Sequence, residues 1–61
     1  MKRFKMTHLV FSDREPETFD ETTAPDWLVS KTYQWFWEGH VLKLEVGQTI
    51  DTDFRSITRI E

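Results

Sequence analysis

The chain has no cysteine and no asparagine, and only two glycines and two prolines in 61 residues. Without cysteine there are no disulfide staples and no thiolate zinc sites, a composition that fits a reducing compartment. Without asparagine there is no N-glycosylation acceptor. No apolar run approaches the roughly eighteen residues a membrane helix needs. The opening MKRFKMTHLVF alternates apolar with polar residues where a secretory signal would be unbroken. These absences predict a cytoplasmic protein with no membrane partner. Also missing are a glycine-rich phosphate loop, a G-x-S-x-G elbow and any metal-ligand spacing, so the expectation is a non-enzyme without cofactor or metal.

What is present suits a single small domain spanning residues 1–61. A chain of this length buries a modest fraction of its surface and gains from a partner, which makes a homo-oligomer an expected state. The net charge of −3 is unevenly spread. Residues 1–11 carry Lys2, Arg3 and Lys5 with no acid. Residues 13–26 carry Asp13, Glu15, Glu17, Asp20, Glu21 and Asp26 against Arg14 alone. With both prolines and few apolar groups, that second stretch reads as an acidic loop or mobile segment, with one short helical turn as its competitor.

Period-2 patterning supplies the rest of the architecture. Phe4, Met6, His8 and Val10 alternate with Arg3, Lys5 and Thr7, so residues 2–12 read as a half-buried strand. Leu9 and Phe11 add apolar groups to its second face, and Phe19 is the natural anchor for a cover over it. The run TYQWFWEGHVLKLEV, Thr32–Val46, reads as a hairpin turning at Glu38-Gly39. It aligns Tyr33, Trp35 and Trp37 with His40, Leu42, Leu44 and Val46 on one inward face. A helix from Trp27 to Trp37, capped by Asp26 and ended by Gly39, competes for the same residues. The aromatic and β-branched composition favours the strand. After a short loop at Gly47-Gln48-Thr49, pairing of Val46 with Ile50 predicts a last strand with Phe54 inward and Ile57 outward. The expected class is therefore all-β or β-dominated α+β. It comprises an antiparallel three-stranded meander with the N-terminal strand added at an edge, closing at the limit into a small barrel.

Three functions compete on this sequence. Glu15, Glu17, Phe19, Asp20 and Glu21 resemble an acidic-aromatic docking patch, in which carboxylates steer a protein partner and the ring anchors it. The leading expectation is accordingly a non-catalytic interaction module that uses the acidic loop and an aromatic sheet edge. Its size is of the kind found among phage and mobile-element modulators of host machinery. The second is a single-stranded nucleic-acid-binding domain stacking bases on Tyr33, Trp35 and Trp37, with Lys43 and Arg55 as cations, although the acidic balance opposes phosphate binding. The third is a structural homo-oligomer subunit assembling through sheet edges. His8 and His40, both expected on inward faces, would need Asp51 or Asp53 as a third ligand to hold a metal, and no spacing motif supports that.

Overall fold

A computed structural model of the chain describes residues 1–10, 14–52 and 54–61. Phe11, the acidic-segment charge Asp13 and the candidate ligand Asp53 lie outside the described residues.

The alternation at the start of the chain does what its period predicts. Strand β1 (Arg3–His8) buries Phe4, Met6 and His8 and exposes Arg3, Lys5 and Thr7. Strand β2 (Glu17–Asp20) pairs antiparallel with β1, placing Phe19 opposite Phe4 and Glu17 opposite Met6. Strand β4 (Arg55–Arg59) pairs with the other side of β1, with Ile57 opposite Met6 and Arg55 opposite His8. Strand β3 (Thr49–Asp51) closes the sheet against β4, Ile50 facing Ile57. The result is an open, four-stranded antiparallel sheet in the order β2-β1-β4-β3. The β-dominated class is as the sequence predicts; the strand order is not. The N-terminal strand is central, because it carries the most buried side chains and needs a neighbour on each side. Nor does a barrel form. The edges are strands of four and three residues, too short to meet and short enough to blunt edge-to-edge pairing.

The expected hairpin over Thr32–Val46 is absent, and the rival helix from Trp27 to Trp37 does not form as drawn either: residues 27–33 are turns and bends, and the helical stretch starts at Gln34 and runs through Gly39. One α-helical turn, α1 (Gln34–Phe36), runs into a π-helix over Trp37–Val41. The N–H of Leu42 donates to the carbonyl of Trp37 five residues back, at 2.9 Å. The wider π turn lets Phe36, Trp37 and Val41 all face the sheet. Tertiary demand overrides β-propensity here: the apolar face of the sheet needs a lid, and Leu28 with these three residues provides it. Glu38-Gly39 is therefore helix interior rather than a turn. His40 and Val46, expected inward, are exposed, while Val41, expected outward, is fully buried and Leu42 and Leu44 are half-buried.

The core lies between sheet and helical layer. Phe4, Met6, Leu28, Val41 and Ile57 are fully buried. Phe4, Phe19 and Trp37 form an aromatic cluster with ring centroids 5.6 to 6.3 Å apart, tilted or edge-on as ring quadrupoles prefer. Ile57 faces inward, against expectation, because β4 starts from a residue, Arg55, that is held to Thr52 by hydrogen bonds. The Thr52 N–H donates to the Arg55 carbonyl at 2.7 Å, and the Thr52 hydroxyl accepts from the Arg55 N–H at 3.1 Å. Val10, expected inward, is exposed beyond the end of β1. Lys5, Thr18, Thr49 and Thr58 share the opposite, polar face of the sheet, Thr49 and Thr58 joined through their hydroxyls at 2.7 Å.

The return from the lid to β3 is tied by side chains to carbonyls. Lys2 Nζ donates to the Leu42 carbonyl and Arg59 Nη1 to that of Leu44, the latter at 2.9 Å. Gly47, with φ of +91°, makes the turn and donates its N–H to the Arg59 carbonyl at 2.8 Å.

Candidate functional site

The acidic segment is more ordered than its composition predicts, and its members do different jobs. Residues 17–20 are strand β2. Phe19 is 5% exposed and belongs to the core, where it covers β1. Asp20 closes the turn after β2. Its Oδ1 accepts from the Thr22 N–H and hydroxyl at 2.8 and 2.6 Å, and from the Thr23 N–H and hydroxyl at 3.0 and 3.2 Å. Those bonds, from Thr22 above all, hold its carboxyl below the ordinary aspartate range. Glu21 accepts from the Lys2 N–H at 3.2 Å. Glu15 and Glu17 are exposed, and Glu17 Oε2 lies 3.1 Å from Nε2 of the buried His8.

The aromatic row is dispersed for the same reason the hairpin fails. Trp37 is in the core, and Lys43 is on the exposed return from the lid. Tyr33, Trp35 and Arg55, by contrast, come together around a cavity of about 290 Å³, joined by Trp27, Phe36 and Phe54. Asp51 and Thr52 complete its lining. Each wall has a structural origin. Trp27 and Tyr33 meet edge to face at 5.4 Å. The π turn places His40 against Trp35, five residues earlier, at 5.5 Å and against Phe36 at 6.1 Å. On the sheet side, Leu9 N–H donates to the Phe54 carbonyl at 2.9 Å and fixes the turn that carries Phe54. Trp35 is 65% exposed and Phe54 54%, so two large rings stand in solvent at the mouth.

Arg55 is the pivot of the site. Its guanidinium lies 4.6 Å from the centre of the Trp27 ring, and its Nε is buried with no hydrogen-bond acceptor among the described residues. A second cavity, of about 260 Å³, adjoins the first across the Arg55–Trp27 pair, which lines both. It is bounded by Met6, His8, Arg14, Glu17 and Pro25. Exposed carboxylate and aromatic cavity thus belong to one continuous surface.

The sequence does not mark Trp27, Phe36 and Phe54 as site residues, and it offers Asp51 only as a metal ligand and not as part of an aromatic cavity. The helical spacing of Phe36, Trp37 and Val41 was the available signal, because that spacing turns Trp35 away from the core. His8 and His40 belong to different surroundings, one buried against Glu17 and the other exposed on Trp35. Among the described residues no three His, Asp or Glu side chains are grouped to hold a metal ion, and no helix is long and apolar enough to cross a membrane. Comparison with protein-family models, with curated proteins and with solved structures finds no match.

Proposed function

We propose that the protein is a non-catalytic interaction module that binds another protein at the aromatic cavity, with the neighbouring carboxylates of Glu15 and Glu17 steering the encounter. The observation that carries this reading is the exposure of Trp35 and Phe54 around a preformed opening. A folding chain has every reason to bury rings of that size, and contiguous exposed apolar surface marks binding sites. Trp, Tyr and Arg, the residue types that dominate binding hot spots, all line the opening. The docking role thereby moves from Phe19 to the ring set 27–36 and Phe54, while the acidic segment keeps a steering role. A module of this size acts by occupying a surface, as a phage or mobile-element modulator of host machinery would.

A second reading, single-stranded nucleic acid, is favoured by one observation: Tyr33, Trp35 and Arg55 share the cavity. It is opposed by the chain's net charge of −3, since the carboxylates of Asp51 and Glu17 at the cavities are matched by Arg55 and Arg14.

Photocrosslinking in the cells that encode the protein tests the proposal. A benzophenone side chain replaces Phe54 in one variant and Thr18, on the opposite face of the sheet, in a control. One dominant protein adduct from position 54 that is missing from position 18 is the expected result. Equal labelling from both positions, or adducts to nucleic acid alone, would overturn the proposal.

A further inference from the structure

We infer that the aromatic opening closes on a second copy of the chain, in a two-fold dimer that covers the docking surface until dilution or a tighter partner frees it; this assigns a regulation to the same surface and rests on the protein-binding reading.

Shape, charge and area select a second copy. Trp35 and Phe54, 65% and 54% exposed, stand at the mouth of a cavity of about 290 Å³. One patch thus holds both projecting rings and a recess, and a two-fold axis beside it lays the rings of each copy over the recess of the other. Any other partner has to supply both shapes.

Exposed Asp51 and half-buried Arg55 are the charged residues of the cavity lining, and among the described residues no ion pair joins them. Beyond the Arg55–Trp27 wall, Glu17 is likewise matched by Arg14, while Glu15 lines neither cavity. A contact surface with one charge of each sign favours neither an acidic nor a basic ligand. It does complement itself, since the two-fold sets Asp51 of each copy toward Arg55 of the other. The net charge of −3 opposes the approach of two copies, and physiological salt screens that repulsion beyond about 8 Å.

An aromatic side chain has about 150–250 Å² to bury, so Trp35, Phe54 and Tyr33, the last 39% exposed, leave roughly 300 Å² in solvent. Leu9, 54% exposed and bonded through its N–H to the Phe54 carbonyl, brings the apolar patch to about 350 Å². With the polar rim that interfaces carry, this corresponds to about 600 Å² on each copy and about 1,200 Å² in all. That area is the low end of specific interfaces, where association is reversible. A chain of 61 residues, which buries a modest fraction of its surface alone, gains from it.

Sedimentation equilibrium at physiological salt, from about 5 μM to about 1 mM chain, tests the dimer. The parent is compared with Trp35→Ala, Asp51→Lys and, on the opposite face of the sheet, Thr18→Lys, each checked for its fold by its ¹⁵N spectrum. The parent is expected to pass from monomer to dimer across this range, and Thr18→Lys to match it. Trp35→Ala should remain monomeric, and Asp51→Lys should raise the dissociation constant about tenfold or more. A parent that is monomeric throughout, or a dimer that survives both Trp35→Ala and Asp51→Lys, would overturn the inference. The photocrosslinker at position 54 separates the two levels. An adduct to a different protein, from a chain that is monomeric throughout, rejects the dimer alone. Self-adducts as the sole product reject the reading of a different partner, and with it the regulation.

Discussion

Arg55 stacks on Trp27 at 4.6 Å, and this one pair is the wall between the two cavities. The pairing follows from the sheet. Arg55 stands opposite His8 in the β1–β4 ladder, facing the helical layer, and Trp27 is the lid residue that covers it. The aliphatic stem of Arg55 packs while its head finds a ring face in place of a carboxylate. Arg55→Ala is therefore expected to cost about 1 kcal/mol in urea unfolding, through loss of the stack on Trp27. It should also free Trp27, seen as a red shift in emission. A loss above roughly 3 kcal/mol would assign Arg55 to core support rather than to a cavity wall.

Leu28, Ile57 and Trp35 form a decisive set of variants. Leu28→Ala and Ile57→Ala remove side chains that are fully buried and should each cost about 2–5 kcal/mol. Trp35→Ala removes a ring that is mostly in solvent and should change stability by no more than roughly 0.5 kcal/mol. A hairpin over Thr32–Val46 reverses that order, with Trp35 in the core and Ile57 outside. Denaturant unfolding of the three variants separates the two arrangements.

The parts of the fold legible in the sequence are those where one period holds without rival. Phe4, Met6 and His8 alternate and are buried, and Gly47 stands in the loop that its sequence neighbours predict. The failures share a cause. Trp35, Phe36 and Trp37 are consecutive aromatics that satisfy period 2 and period 3.6 together, and only the need to cover Ile57 and Phe4 decides between them. A π-helix adds a spacing, Trp35 with His40, that neither period anticipates. The inverted face of Ile57 goes with the hydrogen bonds between Thr52 and Arg55, which no glycine or proline announces in the sequence. The site inherits these errors. The sequence pattern groups Tyr33 and Trp35 on a sheet face, yet they meet Arg55 across the junction of lid and sheet.

Asp20 gives the chain a defined acid response. Its folded-state carboxyl titrates below the ordinary value of 3.8, chiefly through the Thr22 hydroxyl and N–H, with Thr23 adding to them and desolvation opposing. A depressed folded value contributes stability that is fully present above the unfolded value and is lost as pH falls through the lower folded one. Asp20→Asn keeps an acceptor oxygen but loses its charge, so the variant should be less stable than the parent at pH 7. The gap should narrow only below pH 3.8. Thermal unfolding of both chains across the acid range checks this. A constant gap would show that the turn contributes through shape and not through charge.

Gly47 offers the cleanest separation of backbone cost from packing cost. Its φ of +91° is one that L side chains rarely adopt, and a Cβ built there would find no atom within 4 Å. Gly47→Ala therefore meets no clash, and its whole effect is conformational, a loss of about 1–2 kcal/mol. The turn also carries a hydrogen bond, Gly47 N–H to the Arg59 carbonyl at 2.8 Å, which the strained variant should weaken. Replacement by D-alanine in a synthetic chain reverses the sign, because a D-residue favours positive φ and restricts the unfolded state. A gain of about 0.4–1 kcal/mol is expected. Should both isomers destabilise equally, the turn would be intolerant of any side chain, and the cost at Gly47 would belong to contacts and not to φ.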